Sequence, residues 1–344
     1  MNGKESFDAI MTTITGGLTG NVAEDIAYLQ KQMEKYKEHE YGKEILRACG
    51  RLIYRITPEE TKEKLNSLLN KESLGIKEAM EEARFNVYKK NYDKALKIMT
   101  DIVDRFEKSG VFKDDKVTEY HSFANPLEFI IFANVYKPEK QAKDMGPNIY
   151  QMYHELGSLL FEVKRYDEAE KALEKALTWN PVSAGAAFEY AEISKVRGDL
   201  DKFFAVTKGC FDFISEPEDL GRAYRNLGYY FVEKELYYVA AACNYLSLQY
   251  DNESKVAQSE LYYIQQVTGE TMDFPAMEEL EEYSEEYGFP IGPSHEVVGI
   301  AYHCGKQALD EGHANIARFF LQKVYDLIPA EEIKELLDSI PTDE

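Results

Sequence analysis

Apolar positions recur along this chain with helical spacing almost throughout. Asn21 with Glu24 reads as a helix start, and Ile26, Leu29 and Met33 follow on one side. A second amphipathic stretch covers about 42–56, with Ile45, Leu46, Cys49, Leu52 and Ile53 together. Pro58 opens a third stretch carrying Leu65, Leu68 and Leu69. Ahead of them, residues 1–20 are rich in threonine and glycine, from Thr12 to Gly20, and are expected to be weakly ordered. Residues 21–75 are therefore read as N-terminal helices.

From about residue 76 the pattern repeats. The clearest unit, Tyr150 to Ser183, contains Tyr153, Leu156-Gly157, Leu160, Ala169, Leu173, Ala176 and Pro181. Gly221–Ser254 has Tyr224, Leu227-Gly228, Phe231 and Ala240 in the same order. Val298–Glu331 has Ala301, Cys304-Gly305, Ala308, Ala317, Leu321 and Pro329. Two units between them are degenerate: Ala184–Leu220 puts Phe203 where a small residue is usual, and Lys255–Val297 lengthens around Met272–Pro275. Upstream, Ile76–Gly110 keeps Ala79, Ala83, Asn91-Tyr92-Asp93 and Ala95. A helix hairpin cannot bury its apolar faces alone, and stacked neighbours make one continuous core. Small residues such as Gly157, Gly228 and Gly305 let the two helices of a hairpin approach.

The pattern resembles the tetratricopeptide repeat, a helix-turn-helix unit of about 34 residues. Leu160 and Leu173 replace aromatic residues of its consensus, apolar for apolar. The resemblance implies an all-α fold, a right-handed α-α superhelix with an N-terminal helical extension. It covers a first hairpin at 76–110 and a main array at 150–331, followed by a capping helix and tail at 332–344. Residues 111–149 break the pattern and read as a divergent hairpin or insertion. Within them, Leu127–Tyr136 is expected to be a buried helix.

Composition narrows the function. The 344 residues carry 40 Lys and Arg against 62 Asp and Glu, a formal charge of -22. That field repels a polyanion, so nucleic acid is not an expected partner. No apolar run is long enough for a membrane span, and Met1–Gly20 lacks a signal-peptide core. Four isolated cysteines, Cys49, Cys210, Cys243 and Cys304, make neither zinc spacing nor a disulfide framework, which fits a reducing cytoplasm. There is no Gly-Lys-Ser/Thr phosphate loop, no His-Glu-x-x-His and no Gly-x-Ser-x-Gly. An enzyme is not expected, nor a cofactor or a metal. The acidic run from Glu278 to Glu286 reads as the solvated face of a helix whose inner side is Met277, Leu280, Tyr283 or Ser284, and Tyr287. Its alternative is a docking strip for a basic partner.

The resemblance further implies that the first helix of each hairpin lines a concave, peptide-binding groove. By position, that groove takes Phe188 and Glu192, then Arg222, Arg225, Asn226 and Tyr229, then Tyr263, and finally Tyr302 and Lys306. Arg222, Arg225 and Tyr229 share one helical face. Two guanidinium forks and a ring would suit a protein or peptide ligand bearing a carboxylate or acidic side chain. The alternative is that the two arginines pair within the fold. The expected function is a non-enzymatic protein- or peptide-binding scaffold. A second reading is a signalling-peptide-responsive regulator acting through its N-terminal helices.

Overall fold

The computed structural model describes residues 6–58, 75–110 and 112–341. The helix expected around Leu65–Leu69 lies outside them. The described chain is almost entirely helical and divides into two compact units.

The first unit holds the residues up to His121 together with Pro138–Lys143. Its helices are α1 (Phe7–Gly16), α2 (Val22–Lys35), α3 (Gly42–Ile56), α4 (75–88) and α5 (Tyr92–Ser109). Helix α1 lies within the segment expected to be weakly ordered. Ser6 caps it by accepting from the Ala9 N–H. The hydroxyls of Thr12, Thr13 and Thr15 fold back onto carbonyls one turn earlier, so these poor helix formers need no solvent partner there. Ile10 and Ile14, one turn apart, are each 1% exposed and pack with Leu29, Ile45 and Cys49. Docking of that narrow apolar edge outweighs low helix propensity. The buried Asp25 carboxylate then closes the turn, accepting from the Thr19 and Gly20 N–H groups at 2.7 and 2.9 Å. The Thr19 N–H does most to hold its carboxyl below the usual range.

The break at 111–149 is shared between the units. Its first part belongs with α3: Arg47 donates to the Lys113 carbonyl and pairs with Asp115, both at 2.7 Å, and Glu44 accepts from the Lys116 N–H. Strand β1 (Thr118–His121) then pairs with β2 (Gln141–Asp144) in a two-stranded sheet, a local exception to the all-α expectation.

The second unit comprises Ser122–Lys137 and the chain from Asp144 onward. Helix α6 (Pro126–Tyr136) starts with Pro126 after the Asn125 cap and is apolar on nearly all sides. Five helix pairs follow in sequence order. They are α7 (Asn148–Glu162) with α8 (Tyr166–Trp179), and α9 (Ala184–Val196) with α10 (Leu200–Cys210). Next come α11 (Pro217–Glu233) with α12 (Tyr237–Tyr250), and α13 (Lys255–Thr268) with α14 (Met277–Tyr287). The last is α15 (His295–Asp310) with α16 (Ala314–Leu327), and α17 (Glu331–Ser339) packs on α16. Consecutive helices pack on one another through most of this series, the arrangement of an α-α solenoid. Each of the five pairs has a residue with positive φ in its connection: Lys164, Gly198, Glu235, Gly269 and Gly312.

Close approach within a pair is set by glycine. A Cβ on Gly157 would lie 2.6 Å from Leu173 Cγ, and one on Gly305 would lie 2.7 Å from Leu321 Cγ. Phe203, the large residue in a usually small place, is fully buried and meets the Tyr229 ring edge-on. On α14, Leu280 is fully buried as expected. Met277, the first residue of the helix, is instead 55% exposed.

Candidate functional site

The expected groove residues sit on α9, α11, α13 and α15, the first helices of four successive pairs. The structure does not leave them equally available. Phe188 is fully buried and Asn226 is 7% exposed, its Nδ2 donating to Thr207 Oγ1 at 3.4 Å. Both hold the wall from behind and offer no surface to a ligand. Their spacing matches groove positions in sequence, but Asn226 turns toward α10, the preceding helix, and the Phe188 ring lies beneath the Arg222 guanidinium of α11.

Both guanidinium groups are already engaged. Arg222 Nη2 pairs with Glu189 on α9 at 3.0 Å, and its guanidinium lies 5.2 Å from the Phe188 ring centroid. Arg225 Nη1 pairs with Asp251 at 2.9 Å and donates to Ser247 Oγ at 3.1 Å. Ser247 belongs to α12 and Asp251 follows its end, so Arg225 ties its own pair of helices together. Burial pulls the Arg225 pKa down from its ordinary value, and Asp251 opposes that. Burial lowers the pKa of His154 on α7, with Glu189 raising it and Arg222 lowering it further.

Tyr229 stands at the middle of a second charged group. Lys195 Nζ lies 4.0 Å from its ring centroid and 3.3 Å from Glu192 Oε2. A cation over a ring face at this distance is a favourable contact. Glu260 on α13 belongs to the same group: burial raises its pKa, Lys195 lowers it and Glu233 raises it. Burial also raises the Tyr229 hydroxyl, reinforced by Glu233, Glu192 and Glu260. Glu233 and Glu260 were not legible as site residues. Their role depends on Lys195 reaching across from α9, which no spacing within one repeat reveals.

Tyr263 on α13 is 49% exposed, and Tyr302 and Lys306 on α15 are half-buried. Helix α15 also packs against α6, the helix of the divergent segment. Both ends of α6 are tied to the segment before α9: Tyr136 Oη donates to the Pro181 carbonyl at 3.1 Å, and Asn180 Nδ2 donates to Glu128 at 2.7 Å. So α6 runs alongside the array rather than extending it. Among the described residues, no group of three His, Cys, Asp or Glu is arranged to hold a metal ion. Among them too, no helix is long and apolar enough to cross a membrane. Cys49, Cys210 and Cys243 are buried and Cys304 is half-buried, all with thiols pushed up by desolvation.

Residues 150–183 match the family model described as Tetratricopeptide repeat, the boundaries of the clearest unit in the sequence. No curated protein matches the chain. Solved structures do, at low identity. YrrB, a tetratricopeptide repeat protein with an unusual peptide-binding site, is 13% identical over 63% of this chain and 99% of its own, with a TM-score of 0.30. A tetratricopeptide repeat protein from Parabacteroides merdae is 15% identical over 77% of this chain and 98% of its own, TM-score 0.36. The hetero-tetramer Cut9-Hcn1 of APC/C matches at 12% identity over 97% of this chain and 59% of that chain, TM-score 0.32.

Proposed function

For this chain, whose residues 150–183 match the Tetratricopeptide repeat model, we propose a protein- or peptide-binding role exercised along the first helices α9, α11 and α13. The observation that carries the proposal is the Tyr229 group. A half-buried ring, a cation over its face and three flanking carboxylates line neighbouring first helices without being sealed in the core. Such a surface gives a ligand ring area for contact and polar groups for orientation.

The proposal does not rest on the arginines. A ligand carboxylate would have to displace Glu189 from Arg222 or Asp251 from Arg225. Either exchange leaves a displaced carboxylate in a partly buried place, which is costly. Rings and backbone-directed hydrogen bonds therefore supply the recognition, with Tyr229 and Tyr263 as its main contacts. Nothing in the geometry favours the alternative of a regulator working through the N-terminal helices.

The test is capture from native lysate with wild type, a Tyr229→Ala/Tyr263→Ala variant and an Ile316→Ala control. Ile316 is 51% exposed on α16, a second helix. A partner held by wild type and the control, and reduced at least ~10-fold by the tyrosine variant, is the expected result. A partner held equally by all three contradicts the proposal.

A further inference from the structure

The lengthened connection between α13 and α14 builds a second surface, on second helices rather than first ones. A cavity of about 270 Å³ opens there between α12 and α14. Its walls include the rings of Tyr238, Phe274 and Tyr283, the Met272 side chain and the carboxylates of Glu270 and Glu279. A neighbouring cavity of about 220 Å³ shares Glu270 and Met272 with it. Tyr238 is 55% exposed and Phe274 39% exposed, so these rings face solvent instead of completing a core. Each carboxylate accepts one tyrosine hydroxyl: Tyr238 Oη donates to Glu270 Oε2 at 2.9 Å, and Tyr283 Oη donates to Glu279. Those bonds hold the carboxylates beside the rings and leave lone pairs unused.

The charge here is one-sided. No Lys, Arg or His lines either cavity. From Val256 to Gly305 the sequence has no Lys or Arg and carries ten acidic residues. Elsewhere in the unit, carboxylates meet cations, as the exposed Asp167 and the half-buried Glu170 meet Arg197. Ring faces carry negative potential, and carboxylates add to it, so a cavity built from both selects a cation. Its size is below the roughly 300–1,000 Å³ of drug-like sites and suits one side chain.

We infer that this cavity is a docking site for the Arg or Lys side chain of a basic protein segment, stacked on Tyr238 and Phe274 and paired with Glu270 and Glu279. It is separate from the Tyr229 group and stands whether or not that group binds a ligand. The acidic face of α14 guides the basic segment inward, and the rings hold it.

Binding of a fluorescein-labelled peptide of alternating Arg and Gly, followed by anisotropy at near-physiological salt, tests the inference. Three variants are compared with wild type, each checked for folding by circular dichroism. Tyr238→Ala/Phe274→Ala removes the rings without changing charge. Glu281→Gln/Glu285→Gln removes two charges from α14 outside the cavity. Tyr229→Ala/Tyr263→Ala alters only the first-helix surface. The expected result is saturable binding, weakened about 10-fold by loss of the rings and less than about 2-fold by the other two variants. No saturable binding, equal weakening by the ring and glutamine variants, or an unaffected ring variant would each overturn it.

Discussion

Glu128 shows how much one side chain on α6 depends on its surroundings. Its Oε2 accepts from both the Ala124 N–H and Asn180 Nδ2, at 2.8 and 2.7 Å. Those bonds favour the charged form, yet burial outweighs them, and Glu216 and Asp219 add like charge, so its pKa is raised to about 7. Asp219 is itself raised to about 6 by burial. Between their unfolded and folded pKa values, both groups bind more proton in the folded state. Their contribution to stability is therefore fully present below about pH 4 and is lost as pH rises through 6 and 7. Glutamine at position 128 copies the protonated acid, because one amide oxygen can accept both bonds. Glu128→Gln is expected to stabilise the protein at pH 8 by about 1–2 kcal/mol, allowing for solvent screening, and to change it little at pH 4.5. Urea midpoints at the two pH values measure this. An equal effect at both would mean that the carboxylate titrates normally.

Element by element, legibility followed the distance over which each interaction acts. The hairpins were visible because their requirement is local and repeated: a small residue on one helix faces a large one on its partner. Gly157 facing Leu173 and Gly305 facing Leu321 carry it in the structure. Gly157→Ala is accordingly expected to cost about 1–3 kcal/mol, since the Leu173 branch point cannot move aside freely. Gly209→Ala on α10, with nothing within 4 Å of the new Cβ, is expected to stabilise by up to about 1 kcal/mol. Chemical denaturation of the two variants distinguishes packing from helix propensity, and equal losses would contradict the packing account. Helix α1 was missed because its threonines argue against a helix locally, while the cluster that holds it is formed by Leu29, Ile45 and Cys49 further along. The burial of Leu127, Ile131 and Phe132 on α6 was readable from its mostly apolar sequence. Its packing on α15 was not, because those helices are separated by most of the array.

For the molecule as a whole, the sequence spacing placed the right helices in a row but not the state of their side chains. The arginines that stood out in so acidic a chain are engaged by Glu189 and Asp251, one on the preceding pair and one on the same pair. What remains available on the first helices is the ring of Tyr229 with its charged frame, and Tyr263 beyond it. The central claim, that a partner lies along α9, α11 and α13, is tested most directly by site-specific photo-crosslinking. Benzoylphenylalanine is placed in turn at positions 229, 263 and 316, and the adducts formed in cells are mapped by mass spectrometry. Adducts from 229 and 263 to neighbouring stretches of one partner, with none from 316, are the predicted result. Adducts from 316 alone, or from neither tyrosine position, would contradict it.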